Sequence, residues 1–125
     1  MMIDKERNMS GKFILIGHET AACGNLIAWS EWFEKADRTV AKTKIGEIEV
    51  STVFLGLDHS FSDNGPPLLF ETMVFKGPLD GEQERCSTWE QAKVQHAAML
   101  ERVSHEPSKL RSVSSIGAVR EAIMP

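Results

Sequence analysis

Two stretches of the chain carry apolar side chains at the spacing of one helical face. In the first, residues 24–37, the apolar positions recur at i, i+3, i+4 and i+7: Trp29, Trp32, Phe33 and Ala36. Polar side chains occupy the opposite side, and Asn25 is a residue type that caps helix starts by accepting a backbone hydrogen bond. The pattern predicts an amphipathic helix over residues 24–37.

The second helical stripe follows a capping signal. Ser87 and Glu90 have the spacing of a capping box, in which the hydroxyl and the carboxylate each bind a free backbone N–H. Behind them six side chains share one face: Trp89, Ala92, His96, Met99, Leu100 and Val103. We therefore expect a helix over residues 89–103. His96 is interpreted as a histidine at the edge of the core, with one ring nitrogen bound to a carbonyl group.

Short apolar runs typical of β-strands occupy residues 13–17, 39–45, 48–58 and 68–76. The second run alternates apolar and polar residues, as a half-exposed strand does. Gly46 and Glu47 precede the third run and favour a tight hairpin. Gly65 and two prolines before the fourth run predict a longer loop.

These elements predict an α+β fold with a mainly antiparallel, four-stranded sheet. The helix over residues 89–103 packs on one face of the sheet, and the shorter helix lies between the first and second strands. The domain covers residues 13–104, between a flexible lead-in at 1–12 and a Ser-rich tail at 105–125. A short helix is expected in the tail from four apolar positions: Ile116, Val119, Ala122 and Ile123.

The other face of the sheet also carries apolar side chains, because the runs at 48–58 and 68–76 are apolar on both parities. A soluble monomer rarely exposes a patch of that size. The first helix or a second copy of the chain is expected to cover it. A homodimer is therefore predicted, since two-fold dimers are the commonest oligomers.

Composition excludes several classes of protein. The 125 residues are 42% hydrophobic and 26% charged, with a net charge of -4, which predicts one folded domain and argues against disorder. There is no basic stripe for general nucleic-acid binding, no run long enough to span a membrane, and no targeting segment. Cys23 and Cys86 lack the spacing of a zinc site, so free thiols in the cytoplasm are expected, with no metal and no cofactor.

Five side chains are candidates for chemistry: His18, Glu19, Asp58, His59 and Glu71. The first two follow the first strand with Cys23 nearby, and the next two end the third strand, so both loops offer groups for metal binding or acid–base catalysis. Glu71 lies within an apolar strand, either as a charge paired with Lys42, Lys44, His59 or Arg85 or as a general base with a raised pKa. Ordinary polar strand ends are the favoured explanation of the loop residues, and no nucleotide-binding or hydrolase motif supports catalysis.

Residues 39–103 contain the motif STVFLGLDHSF, followed by GPPLLFETMVFKGPLDGEQERCSTWEQAKVQHAAML. The motif resembles a group of short proteins encoded by bacteriophages and prophages. This chain departs from the pattern at Lys76, where a second glycine is expected, and at Cys86, where an aromatic residue is expected.

The resemblance implies no particular activity. It suggests an accessory protein that binds a host protein, for example one that inhibits a defence system such as CRISPR. The alternatives are a small enzyme or metal-binding domain with its site at the loops after the first and third strands, and a virion or assembly component.

Overall fold

The computed structural model of the chain describes residues 11–60 and 65–114, with side chains up to residue 105. Within these residues the elements follow in this order: β1 (Phe13–Ile16), β2 (Glu19–Ala22), α1 (Leu26–Lys35), β3 (Thr39–Ile45), β4 (Ile48–Phe54), β5 (Phe70–Phe75), β6 (Gln83–Cys86) and α2 (Trp89–Ser114). No helix among them is long and apolar enough to cross a membrane. The predicted tail helix and most of the predicted lead-in lie outside the described residues.

The main sheet has four antiparallel strands in the order β3-β4-β5-β6, and α2 packs across it. Thr43 pairs with Val50, and Val50 pairs with Val74. Gly46 has a φ of 61°, which supplies the left-handed residue that the β3–β4 hairpin turn needs. The predicted α+β class, the antiparallel sheet and the helix on one face are confirmed.

The membership of the sheet differs from the prediction. The first strand does not join it: β1 pairs with β2 in a separate hairpin, and the fourth strand of the sheet is β6. As a result α1 lies between the second and third strands of the chain. Gly17, at a φ of 65°, lets the chain reverse directly after β1, where the sequence predicted a strand end leading into a loop.

The hairpin of β1 and β2 is tied to the end of β4. The N–H of Phe13 donates to the carbonyl of Gly56 at 2.9 Å, and Lys12 forms an isolated antiparallel β-bridge with Leu57. The indole Nε1 of Trp29 in α1 donates to the carbonyls of Phe13 and Gly56, at 3.0 and 3.1 Å. One tryptophan therefore joins the hairpin, α1 and the segment that follows β4.

The core has two parts on the α2 side of the sheet. The aromatic cluster consists of Phe13, Phe54, Leu69, Phe70 and Ala92, with Trp32 and Trp89 packed against it. The aliphatic cluster consists of Val50, Val74, Met99 and Val103. Each large apolar side chain that is fully buried contributes about 1.5–3 kcal/mol relative to exposure, so these clusters supply most of the driving force for the fold.

Both helix starts are capped, one of them differently from the prediction. Asn25 accepts from the N–H of Ala28 at 2.9 Å, as expected. At α2 the box is shifted by one residue: Thr88 Oγ1 accepts from Gln91 N, and Gln91 Oε1 accepts from the N–H groups of Ser87 and Thr88. The helix then continues to Ser114, eleven residues beyond the predicted end at 103.

Candidate functional site

His18 and Glu19 lie at the reversal between β1 and β2, and both are exposed. The imidazole of His18 stacks on the indole of Trp89, with the ring centroids 3.8 Å apart and the planes 5° from parallel. This contact fixes the tip of the hairpin to the first residue of α2. His18 therefore acts in packing, and Trp89 has one ring face on the core and one on the hairpin.

Asp58 closes the loop that follows β4. Its carboxylate accepts from the N–H of Ser60 at 2.8 Å and from the N–H of Leu68 at 3.0 Å, so it holds both ends of the loop together. The neighbouring His59 forms a hydrogen bond from Nδ1 to the carbonyl of Leu57 at 2.8 Å. These contacts stabilise the turn, as the structural interpretation of this pair expected.

Glu71 has an ionic partner across the sheet. Its carboxylate lies 3.0 Å from Nη2 and 3.1 Å from Nε of Arg85 on β6, and its side chain is only 15% exposed. Arg85 is one of the partners that the sequence offered for this charge. Removal of either member would leave a largely buried charge unpaired, which is strongly destabilising.

The five candidates thus take part in three separate local contacts: the His18 stack, the turn at Asp58 and His59, and the Glu71 ion pair. Across residues 11–60 and 65–105, no group of three or more histidine, cysteine or acidic side chains is placed to hold a metal ion. The hypothesis of an enzyme or metal site required these side chains to converge. The geometry provides no such convergence in the part of the chain that is described.

His96 lies at the centre of a buried hydrogen-bonded layer rather than at the edge of the core. It is 5% exposed, with Nδ1 at 2.7 Å from Thr52 Oγ1 and Nε2 at 2.9 Å from Thr43 Oγ1. Thr52 Oγ1 is also 2.7 Å from Thr72 Oγ1, which accepts from Gln95 Nε2 at 2.9 Å. The predicted carbonyl partner was wrong, because the ring lies over strands whose threonine hydroxyls point at it.

Burial changes the ionisation of two groups. It lowers the pKa of His96, because the imidazolium loses hydration inside the core. Burial also raises the pKa of the Cys86 thiol; hydrogen bonding with the backbone of Thr88 opposes this effect, and the negative charge of Glu84 adds to it. Cys23 and Cys86 are both free, and Cys86 is held as the neutral thiol, which is the unreactive form of a cysteine at neutral pH.

A shallow groove lies between β6 and the first turns of α2. It encloses about 610 Å³ and is lined by Leu68, Glu84, Arg85, Cys86, Ser87, Glu90, Gln91, Val94 and Gln95. One wall is a strand edge and the other is a helix face. This β6–α2 groove is the candidate functional site.

The strand wall of the β6–α2 groove is an edge of the main sheet, because among the described strands β6 pairs with β5 alone. Leu69 and Val74 donate to the carbonyls of Cys86 and Glu82, at 2.9 and 3.0 Å. In an antiparallel pair such bonds alternate along the strand, so the intervening Gln83 and Arg85 direct their backbone N–H and C=O groups away from β5. Two residues of main chain thus face the open side.

The helix wall combines apolar and acidic groups. Val94 is 70% exposed, whereas the other large apolar side chains of α2 up to residue 105 are buried or half-buried. Glu90, one turn earlier, is exposed and has no ion pair with another described side chain. Arg102 pairs with Glu82 and Glu84 at 3.1 and 3.4 Å, at the far end of the same side of the molecule. Because Arg102 neutralises Glu84, the unpaired acidic charge among the described residues of the β6–α2 groove is that of Glu90.

Sequence reasoning missed the β6–α2 groove because it missed β6. The segment Gln83–Cys86 is polar and short, and reads as a loop until β5 pairs with it. One signal was available: Val94 falls off the apolar stripe of its helix and is an unexplained hydrophobic residue on the predicted solvent face.

Comparisons of the chain with protein-family models, with curated proteins and with solved structures find no match. The resemblance to phage and prophage proteins therefore stays a prediction from the motif in residues 39–103.

Proposed function

We propose that this chain is a binding protein that acts by contact with another protein, and that the β6–α2 groove is the contact surface. The observation that carries the proposal is the combination of an unpaired strand edge, an exposed valine and unpaired acidic charge in one concavity. Main-chain edges and exposed apolar side chains are groups that recognise proteins.

The chemistry of the lining supports recognition over catalysis. A nucleophilic cysteine needs a lowered pKa and a neighbouring base, whereas the pKa of Cys86 is raised and its sulfur bonds a backbone carbonyl. Arg85, the cation of the groove, is already bound to Glu71 on the other face of the sheet. What the groove offers to a ligand is shape, backbone and negative charge.

The class of partner rests on the resemblance to phage and prophage proteins. Small accessory proteins of that origin act on proteins of the bacterial host, in its cytoplasm. The proposed partner is therefore a host protein, and a component of a defence system such as CRISPR is one example. Positive charge on the partner surface would complement the carboxylates of Glu84 and Glu90.

Affinity capture from a bacterial lysate tests the proposal with two matched variants. Val94→Asp changes the β6–α2 groove, and Ile27→Asp makes the same kind of change on α1, where Ile27 is 69% exposed. We expect proteins retained by the unmodified chain to be retained by Ile27→Asp and lost from Val94→Asp. Identical retention by all three chains would contradict the groove as the contact surface.

We also propose a homodimer, formed through the face of the sheet opposite α2. Thr52 on that strand contacts His96 of α2, so the neighbouring Val53 points to the other face, as do Met73 and Phe75. Phe75 is 45% exposed, and the described helices α1 and α2 both contact the buried side of the sheet.

The opposite face also carries both signs of charge, which makes it self-complementary. Lys42 and Glu49 lie on this face, 3.8 Å apart, and two copies can exchange such pairs across a two-fold axis. Sedimentation velocity over a range of concentrations tests the dimer. A dimer that Phe75→Glu dissociates supports the proposal, whereas a monomer at all concentrations contradicts it. Larger oligomers would instead favour the assembly component.

A further inference from the structure

The free edge of β6 offers backbone N–H and C=O groups to a ligand, whereas the helix wall of the β6–α2 groove offers side chains. We propose that the groove binds an extended, positively charged segment of the partner protein, which pairs with β6 as a fifth strand of the sheet. This inference rests on the proposed function and specifies how the partner is bound. Strand addition to a sheet edge beside a helix draws its affinity from main-chain hydrogen bonds.

The first support is the direction of the backbone at Gln83 and Arg85. Because β5 uses the carbonyls of Glu82 and Cys86, the two residues between them present N–H and C=O groups in the plane of the sheet. Neither group forms a backbone hydrogen bond with another described residue. An added strand could therefore form backbone hydrogen bonds with Gln83 and Arg85, as β5 does with the alternate residues of β6.

The second support is the contrast with the opposite edge of the sheet. Strand β3 carries Lys42 and Lys44 and has an irregular register between Thr39 and Ala41. Lysines and bulges on an edge strand are the features by which proteins prevent strand addition. Strand β6 contains no lysine and its register with β5 is continuous, so it lacks these two features, although it is only four residues long and carries the charged side chains of Glu84 and Arg85, which are two further ways of protecting an edge.

The third support is that α2, one wall of the groove, is hydrogen-bonded directly to β6, the other wall. Gln95 of α2 donates from Nε2 to the carbonyl of Glu84 at 3.0 Å and to Thr72 Oγ1 at 2.9 Å. The helix is thus attached to the edge strand itself. A wall held in this way is organised before binding, so a ligand does not have to order it.

The side chains of the groove indicate which segment fits. Those on the α2 side of an added strand would meet the apolar Val94 and two carboxylates, the unpaired Glu90 and Glu84, which is bound to Arg102. A segment with β-branched residues and with Lys or Arg complements both, whereas an acidic segment would be repelled. Proline within the segment would remove a main-chain donor and prevent pairing.

The experiment uses a displayed library of random linear peptides as the probe and the full chain as the target. Gln83→Pro removes one outward N–H, and Gln83→Thr at the same position keeps it. We expect the selected peptides to be rich in Lys, Arg and β-branched residues. We expect Gln83→Pro to weaken them at least about tenfold and Gln83→Thr to leave them nearly unchanged.

Hydrogen exchange provides a second measurement in case the proline variant does not fold. A selected peptide should slow exchange of the amides of Gln83 and Arg85 in the unmodified chain. Any of four results would overturn the inference. The selected peptides could have apolar residues at helical spacing, or the library could yield no binder. The proline and threonine variants could bind the peptides equally, or the amides of Gln83 and Arg85 could remain unprotected. If protection of these amides increases with protein concentration in the absence of peptide, the edge binds a second copy of the chain, and the inference is overturned as well.

The outcomes also separate this inference from the proposed function. If Val94→Asp abolishes capture of a lysate protein and Gln83→Pro does not, the groove binds a partner without strand pairing. If neither variant affects capture, the groove is not the contact surface and both proposals fail.

Discussion

The aromatic and aliphatic halves of the core are separated by a polar layer, and they join different parts of the chain. Along three elements the same order repeats, from aromatic cluster through polar layer to aliphatic cluster: Phe54, Thr52 and Val50 on β4; Phe70, Thr72 and Val74 on β5; Ala92, His96 and Met99 on α2. Only the aromatic half includes residues from β1 and α1. The aliphatic half therefore holds α2 to the sheet, and the aromatic half also joins β1 and α1 to them.

The polar layer fixes how the helix is aligned on the sheet. Apolar clusters tolerate small shifts, but the two ring nitrogens of His96 reach Thr52 and Thr43 only in one position of α2. A shift of the helix would leave these buried groups without partners, at a cost of about 1–3 kcal/mol for each. The polar layer therefore fixes the alignment of α2 on the sheet, which the two apolar halves alone would determine less specifically.

The largest effect is expected from truncation in the aromatic half. Phe54→Ala removes a fully buried ring that contacts Trp32 and Phe70, and should lower the free energy of unfolding by about 3–5 kcal/mol. Val50→Ala, on the same strand in the aliphatic half, removes only two side-chain carbon atoms and should lower the free energy of unfolding by about 2 kcal/mol. Urea denaturation of both variants measures the difference. Equal losses would show that the two halves contribute alike.

The polar layer is tested next by a change that keeps its shape. Thr52→Val removes the hydroxyl that binds both His96 and Thr72, and leaves their polar atoms buried without that partner. The free energy of unfolding should fall by about 1–3 kcal/mol. Thr39→Val on β3, where the residue is exposed, is the matched control and should change stability very little. A neutral Thr52→Val would mean that the layer does not determine the register.

Protonation provides a reversible way to disturb the same layer. The folded pKa of His96 is lowered by burial, whereas the unfolded chain has an ordinary histidine pKa of about 6.5. As the pH falls below that value, the unfolded state takes up a proton that the folded state excludes, so stability decreases until the pH reaches the folded pKa.

His96→Gln removes this contribution while keeping a side chain that forms hydrogen bonds. Denaturation from neutral to mildly acidic pH should therefore show a steeper loss of stability for the unmodified chain than for the variant. Parallel pH profiles would contradict a lowered pKa for His96.

The difference between the two halves also explains how far the sequence could predict this fold. The stripe from Trp89 to Val103 and the inward residues of β4 and β5 follow from periodicity, because burial on one face imposes it. The polar layer was not foreseen. Thr52 and Thr72 are β-branched residues that suit a strand on either face, and only the position of α2 makes them partners of His96.

The β6–α2 groove was outside the reach of sequence patterns for a related reason. The short edge strand Gln83–Cys86 lacks a run of apolar residues, so its composition is close to that of a loop. Its pairing with β5 is a long-range contact that local residues do not encode. By contrast, the partner of Glu71 could be proposed from the cost of burying a charge, and Arg85 was among the candidates.

The smallest predicted effect concerns the turn that closes the aliphatic half. Lys76 has a φ of 75°, a left-handed conformation that costs a side-chain-bearing residue about 1–2 kcal/mol, and the following Gly77 packs against Ile48 of that half. Glycine at position 76 is the residue that the resemblance to phage proteins led us to expect. Lys76→Gly should relieve the strain, but the greater freedom of glycine in the unfolded chain offsets part of the gain, so we expect a stabilisation below about 1 kcal/mol.

Thermal unfolding of Lys76→Gly measures that gain, with Lys44→Gly as the control. Lys44 lies within β3, where glycine only adds freedom to the unfolded chain, so that variant should lose stability. If both substitutions destabilise equally, the backbone at position 76 is not strained. If only Lys76→Gly stabilises, this chain departs from the motif at a cost to its own stability, and the amine of Lys76 then needs an explanation from function rather than from folding.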